Sequence, residues 1–338
     1  MAILAGDIGG TKTLLQLSEP KGNSFDVLFE KRYVSADHAS LTSMTQEFLK
    51  DAATQMKCDV AAACFGIAGP VSGRTAKTTN LPWVLNADEM EKDLGIPRVR
   101  LINDFQSVGY GIEALQPQDM VTLQAGTPVA GGTRVIIGAG TGLGQGFLVW
   151  QGQYYEVVAS EGGHASFAPS NELQDELMIY LRQRFHWPTW ERAVSGRGLV
   201  NIFNFLVDTK RGEPGAAMLE AMQTEDHAAV VSKMGMAGTD PLAVQAMNLF
   251  VSLYGAQAGN LALTGLATGG VYVAGGVAPK IIDKLKDGTF MQSFLDKEER
   301  MQGLLKAMPV QVVVNANVGL LGSAVAAATS KLRRPRAR

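Results

Sequence analysis

Two stretches of this 338-residue chain place a glycine-rich polar turn between apolar runs. The first is LAGDIGGTKTLLQLSE, Leu4 to Glu19. The second is VIIGAGTGLGQGFLVW, Val135 to Trp150. The residues C-terminal to each turn decide its type. TLLQL and GFLVW are leucine, β-branched and aromatic runs, so each reads as a returning strand and each turn as a hairpin tip. That excludes two common phosphate loops. Lys12 follows Thr11 rather than glycine, which breaks the P-loop pattern. In the second stretch the glycines fall at 138, 140, 142, 144 and 146, a spacing that gives no dinucleotide fingerprint leading into a helix.

A hairpin tip can still hold phosphate. Glycines let backbone N–H groups converge on an anion where a Cβ would intrude. Thr11 and Thr141 add hydroxyl donors and Lys12 a charge. Gly10 at the first tip is expected to need close approach and a positive φ. Asp7 repels phosphate unless Mg²⁺ or its bound water stands between them. A tight turn with a capping aspartate explains one such hairpin as well. Two of them, one in each half, favour the phosphate reading.

The length exceeds one ordinary core and predicts two lobes. The strand-like runs Ala2–Ala5, Thr13–Leu17, Asp59–Phe65, Val99–Ile102, Val135–Ile137, Gly146–Trp150, Val271–Ala274 and Val310–Val314 alternate with helical patterns. Those patterns cover Leu41–Met56, Phe105–Leu115, Ala278–Leu285 and Leu320–Leu332. The alternation predicts α/β layers. GIEALQPQDM, Gly111 to Met120, is the expected crossing point, and the alanine-rich last helix is expected to pack back on the first lobe. The longest apolar stretch, Leu242 to Leu266, is interrupted by Gln245, Asn248, Gln257 and Asn260 and reads as a buried helix, capped by Asp240 with Pro241 in its first turn.

A net charge of −2 gives no electrostatic case for nucleic acid or an acidic membrane. The basic cluster Lys331, Arg333, Arg334, Arg336 and Arg338 reads as a solvated terminus. Two cysteines, Cys58 and Cys64, and no zinc-ligand spacing point away from a disulfide scaffold and toward a reducing compartment. No leader pattern precedes the first turn, so a cytoplasmic location is expected.

LINDFQSV sets Asn103 and Asp104 between an apolar strand and a helix. A helix N-cap needs only one such residue. The chemical alternative is a carboxylate that accepts a hydroxyl proton during phosphoryl transfer. SEGGHASFAP supplies Glu161 and His164, and WERAVSGRGL supplies Glu191. Carboxylates and an imidazole suit the adjacent hydroxyls of a sugar. His164 has no second histidine at metal-ligand spacing.

GDIGGTK with GAGTGLG resembles the two phosphate loops of the actin–hexokinase ATPase superfamily, and VYVAGG, ending in Gly275 and Gly276, resembles its adenosine region. Over nearly its full length the chain resembles bacterial glucokinases of the hexokinase fold. GIAGPVSG, TTNLPW, LINDF, EGGHASFAP, ERAVSGRGL, VAGGVAPK and NVGLLGSA occur in that order. The resemblance implies two actin/hexokinase-like (ribonuclease H-like) α/β lobes with an ATP and sugar cleft between them. Residues 1–112 with 317–338 would form the small lobe, carrying the first phosphate loop and the catalytic aspartate. Residues 113–316 would form the large lobe.

It further implies ATP-dependent phosphorylation of D-glucose at the 6-hydroxyl, with Mg²⁺. Asp104 becomes the base. Asn103, Asp104, Glu161, His164 and Glu191 become sugar ligands. Gly6, Asp7, Ile8, Gly9, Gly10, Thr11, Lys12, Gly140, Thr141, Gly142, Gly275 and Gly276 become ATP-binding residues, and Asp7 approaches the metal directly or through water. A homodimer is implied too. The related repressor/open-reading-frame/kinase family usually has a cysteine-rich zinc motif after the sugar-site histidine, where this chain has ASFAPS. A kinase for another hexose or amino sugar, and a non-catalytic sugar or nucleotide sensor on the same fold, remain the alternatives.

Overall fold

The computed structural model describes residues 1–22, 24–57 and 59–329. Cys58 and the basic cluster from Lys331 to Arg338 lie outside them. The chain divides into two units. One comprises Met1–Pro117, Gln151–Ala159 and Asn315–Arg338, the other Gln118–Trp150 and Ser160–Val314.

The first unit is built on a five-stranded sheet in the order Ser24–Val34, Lys12–Lys21, Ala2–Ile8, Val60–Ile67, Val99–Asn103. The first three strands run antiparallel, and Ala2–Ile8, Val60–Ile67 and Val99–Asn103 run parallel. Ala2–Ile8 is buried at every position but Asp7, which is why it reads as a near-continuous apolar run. Ser24–Val34 was not expected as a strand. It is the outermost strand and mostly exposed, and its signal is the short alternation of Phe25, Val27 and Phe29 among charged residues. Helix Leu41–Ala53 starts at a Ser40 capping box and buries Leu41, Met44, Phe48 and Ala52, one face at helical spacing. It ends three residues before the expected Met56.

Helices Asp104–Gly111 and Val318–Ala328 cross in close contact, so the last helix does pack on elements near the chain's start. Small residues make the approach possible. A Cβ on Gly322 would fall on the Ser107 carbonyl, and one on Gly111 on the Val318 carbonyl. The buried Ser323 hydroxyl lies 3.2 Å from that of Ser107 and donates to the Gly6 carbonyl at 2.9 Å. The crossing thereby ties both helices to the strand that carries Asp7.

The second unit repeats the hairpin-plus-parallel-strand plan. Arg134–Ala139 pairs antiparallel with Leu143–Trp150 and parallel with Gly270–Ala274, which pairs parallel with Val310–Val313. Met120–Gln124 closes the edge antiparallel. Behind the sheet runs the helix Pro241–Gly265, with Asp240 accepting from the Leu242 and Ala243 N–H groups at 2.9 Å. Its burial on most sides explains its largely apolar sequence, with Gln245 and Asn248 on the exposed strip. No helix among the described residues is long and apolar enough to cross a membrane. Ala278–Leu285, expected as one helix, is a 3-10 turn, Ala278–Ile281, followed by a short α-helix, Ile282–Lys286. Pro279 removes one amide donor from the first turn.

Candidate active site

In the first unit, residues 9 to 11 form the tip of the hairpin between Ala2–Ile8 and Lys12–Lys21. Gly9 N–H closes the turn on the Lys12 carbonyl at 3.0 Å. Ser35 supports the tip, its hydroxyl donating to the Gly9 carbonyl at 2.8 Å and its N–H to the Thr11 carbonyl at 3.0 Å. The Gly10 and Thr11 N–H groups have no protein partner among the described residues. Thr11 and Lys12 are exposed, whereas the Ile8 side chain lies in the core and leaves only its main chain for a ligand. One expectation is corrected. Gly10 does not have a positive φ. It is glycine for space, since a Cβ there would lie 2.7 Å from the Asn80 Cβ.

Asn103 and Asp104 start the helix Asp104–Gly111, and their roles separate. Asn103 is the N-cap. Its side chain accepts from the Phe105 N–H at 2.9 Å, its N–H is answered by Gln106 Oε1, and its amide donates to the Gly69 carbonyl at 3.3 Å. Asp104 is the first helical residue and is exposed, with Oδ1 2.8 Å from the Phe105 nitrogen. Asp7 belongs to the same region. Desolvation by the surrounding protein, then the negative charge of Asp104, raise its pKa above 3.8. Asp7 is itself open to solvent, so the Asp104 charge is the cause that persists as water enters.

In the second unit, residues 140 to 142 form the other tip. The Thr141 and Gly142 N–H groups have no protein partner among the described residues. The backbone around them is tied to other segments. Gly196 N–H donates to the Gly140 carbonyl at 2.8 Å, and Leu143 N–H donates to Glu191 Oε2 at 3.0 Å. Ser195, which sequence reasoning did not single out, joins the two contacts. Its hydroxyl donates to the Glu191 carbonyl at 2.7 Å and accepts from Gly198 N–H at 2.9 Å, capping helix Gly196–Asp208.

Tyr254 was also missed, and only its place in an apolar helix could have flagged it. Its buried hydroxyl accepts from Ala139 N–H at 3.0 Å and donates to the Ala274 carbonyl at 3.2 Å, joining the strand ends that lead to Gly140 and Gly275. Burial raises its pKa far above the usual tyrosine value, keeping it a neutral donor. Gly275 sits at φ +82°, a conformation that suits glycine alone, with the Ala139 carbonyl 2.5 Å from where a Cβ would stand. Gly140, Thr141 and Gly276 line one cavity of about 900 Å³, with Arg197, Lys233 and Lys280 among its walls. That volume suits a nucleotide.

Glu161 precedes, and His164 ends, a 3-10 turn, Gly162–His164. They are 3.9 Å apart and open to solvent. The turn sits on strand Leu143–Trp150. A Cβ on Gly163 would strike the Leu143 carbonyl, and one on Gly162 the Gln145 amide oxygen. Gly163 is thus required by the strand's backbone, while at 162 the obstacle is the tip of a side chain. The same strand therefore carries the Glu161–His164 turn and, through Leu143 N–H, Glu191.

A model of the glucokinase family matches residues 4–330. The chain belongs to the glucokinase family. This glucokinase-family chain is 46% identical over 340 residues to the glucokinase of Nostoc sp., covering 96% of the chain and 98% of the relative. It superposes on a crystal structure of glucokinase from an Antarctic psychrotroph with a TM-score of 0.87 at 28% identity, covering 97% and 99% of the two chains. A ROK family glucokinase from Streptomyces griseus, solved with glucose and AMPPNP, shares the fold at 21% identity and a TM-score of 0.62, with 98% and 100% covered. The fold of the glucokinase-family chain is the two-lobe actin-like ATPase fold.

Proposed function

We propose that this chain transfers the γ-phosphoryl group of ATP to the 6-hydroxyl of D-glucose, giving glucose 6-phosphate and ADP. The observation that carries the reading is the division of roles at the start of helix Asp104–Gly111. Asn103 does the capping, so Asp104 is not needed as the N-cap. Asp104 takes the proton of the 6-hydroxyl as that oxygen attacks phosphorus. Asn103, Glu161, His164 and Glu191 bind sugar hydroxyls, the carboxylates as acceptors for two each. The unpaired N–H pairs at Gly10–Thr11 and Thr141–Gly142 take phosphate oxygens. Lys12 adds charge, and Gly275 and Gly276 border the adenosine.

The residues fit Mg²⁺ carried on the nucleotide. Among the described residues no group of three or more His, Cys, Asp or Glu forms a metal cage. Asp7 is a single carboxylate already disfavoured by its neighbour's charge, and a cation held through water and phosphates suits one carboxylate of this kind. The ion supplies charge neutralisation on the transferring phosphoryl group. Asp7 would hold such an ion through water, and Thr11 and Thr141 would steady the phosphates. The family points further to a cytoplasmic homodimer.

A coupled assay with purified protein tests the reading. ATP with glucose should outpace other hexoses, amino sugars and polyphosphate donors. A second hexose used better than glucose moves the substrate. No transfer to any sugar, with sugar binding retained, makes the chain a sensor. Size-exclusion chromatography with light scattering tests the dimer.

A further inference from the structure

Gln145 is 4% exposed on strand Leu143–Trp150, opposite Ile137. Its Nε2 has no hydrogen-bond partner among the described residues. A buried amide left unpaired is costly, and such groups in native proteins call for an explanation. Its position supplies one. The oxygen of the same amide, Oε1, lies directly against Gly162, in the turn between Glu161 and His164, close enough that a side chain at 162 would meet it. The turn above it is closed by local bonds, Ala165 N–H also donating to the Gly162 carbonyl at 3.1 Å. Gly162 N–H donates to Ser160 Oγ at 3.0 Å and His164 N–H to the Glu161 carbonyl at 2.9 Å, while both functional side chains stand open to solvent.

We propose that Gln145 is the positioning residue for hexose binding: loading of the turn by hexose seats the Glu161–Gly162 main chain on the Gln145 amide, and this bond fixes the direction of the Glu161 carboxylate. The inference rests on the hexose-kinase reading above. It explains why a polar side chain occupies a floor position that an apolar one would fill at lower cost in the ligand-free protein. The bond is completed only in the bound state, so the amide stabilises the complex at the expense of the free protein. Gln145 acts through the turn and touches no reacting atom.

The test is Gln145→Met, which keeps length and volume while removing the amide, with Gln145→Leu as a second variant should methionine fail to fold. The ligand-free variant should melt at a higher temperature than the unsubstituted protein. Its glucose Kd by calorimetry, and its glucose KM, should rise roughly 5–20-fold. Its ATP KM and kcat should stay within about twofold, since the nucleotide contacts and Asp104 are untouched. A merely structural glutamine predicts the reverse pattern: a changed melting temperature with an unchanged glucose Kd, or ATP and glucose constants drifting together. Either result overturns the proposal. Glucose binding that is absent from the unsubstituted protein overturns the hexose-kinase reading itself, so the two failures are distinguishable.

Discussion

The two hairpin tips stand at the same place in two similar sheets and are used differently. Each leaves two consecutive N–H groups unpaired, Gly10–Thr11 and Thr141–Gly142. The first is flanked by charged side chains, Asp7 and Lys12, and its support comes from one serine, Ser35. The second has no charged residue from Val135 to Trp150. Instead its backbone holds groups from elsewhere, with Leu143 N–H bonded to Glu191 and the Gly140 carbonyl to Gly196. One tip has its chemistry on its own side chains. The other is a frame for the side chains of distant residues. Repetition of a fold thus need not repeat the use of its loops.

Four substitutions can break or sharpen that contrast. The largest effect belongs to Asp104, whose charge bears on the first tip. Asp104→Asn should lower kcat by roughly 10²–10⁴-fold with glucose Kd near its original value, measured by steady-state kinetics and calorimetry. A kcat close to the original reduces Asp104 to a helix-start residue. Next, Gly10→Val should weaken ATP binding by roughly 10–100-fold, the loss of one charge-assisted bond to phosphate, and leave glucose binding intact. The new side chain drives into Asn80. A folded variant with unchanged ATP affinity removes the phosphate role of GDIGGTK.

The second tip should behave otherwise. A Cβ on Gly142 would stand 2.5 Å from Glu191 Oε2. Gly142→Ala should therefore raise glucose KM by about fivefold, even though the loop is of the phosphate-binding type. Paired ATP and glucose titrations decide the matter, and an effect confined to ATP would erase the contrast.

The smallest effect is thermal. Asp7 holds a raised pKa in the fold, so the folded protein binds more protons than the unfolded chain between about pH 3.8 and that raised value. Stability from this residue falls as pH rises through that window. Asp7→Asn should give the ligand-free protein a slightly higher Tm at neutral pH, with the gain fading toward pH 3.8, while turnover drops. A variant destabilised at neutral pH and equally so in acid contradicts the repulsion between Asp7 and Asp104.

Local patterns carried the reading as far as local physics governs the structure. The two hairpins were legible because a polar glycine turn between apolar strands has few other uses. The buried helix Pro241–Gly265 was legible because Asp240 and Pro241 mark its start and its apolar run its burial. Contacts across sequence were not. Asn80 restricts Gly10 from 70 residues away, and this contact, not a positive φ, is what calls for glycine there. Leu143 N–H on Glu191 involves a backbone donor, which no side-chain pattern announces. The strands Val71–Ser72, Thr75–Lys77 and Val84–Asn86 are too short for alternation to emerge. Gln145 read as one polar position between glycines, and only its burial beneath Gly162 gives it meaning.

The seam between helices Asp104–Gly111 and Val318–Ala328 sets a schedule for synthesis. The Ser323 hydroxyl that fixes the Gly6 carbonyl is made 317 residues after its partner. While the ribosome builds the second unit, the sheet carrying Asp7 and the helix carrying Asp104 must wait with Ser107 and Gly111 uncovered. Such distant closure is slow, and exposed surface invites association with other chains. The nascent chain therefore carries this floor open until the late helix Val318–Ala328, with Gly322 and Ser323 at the contact, seals it.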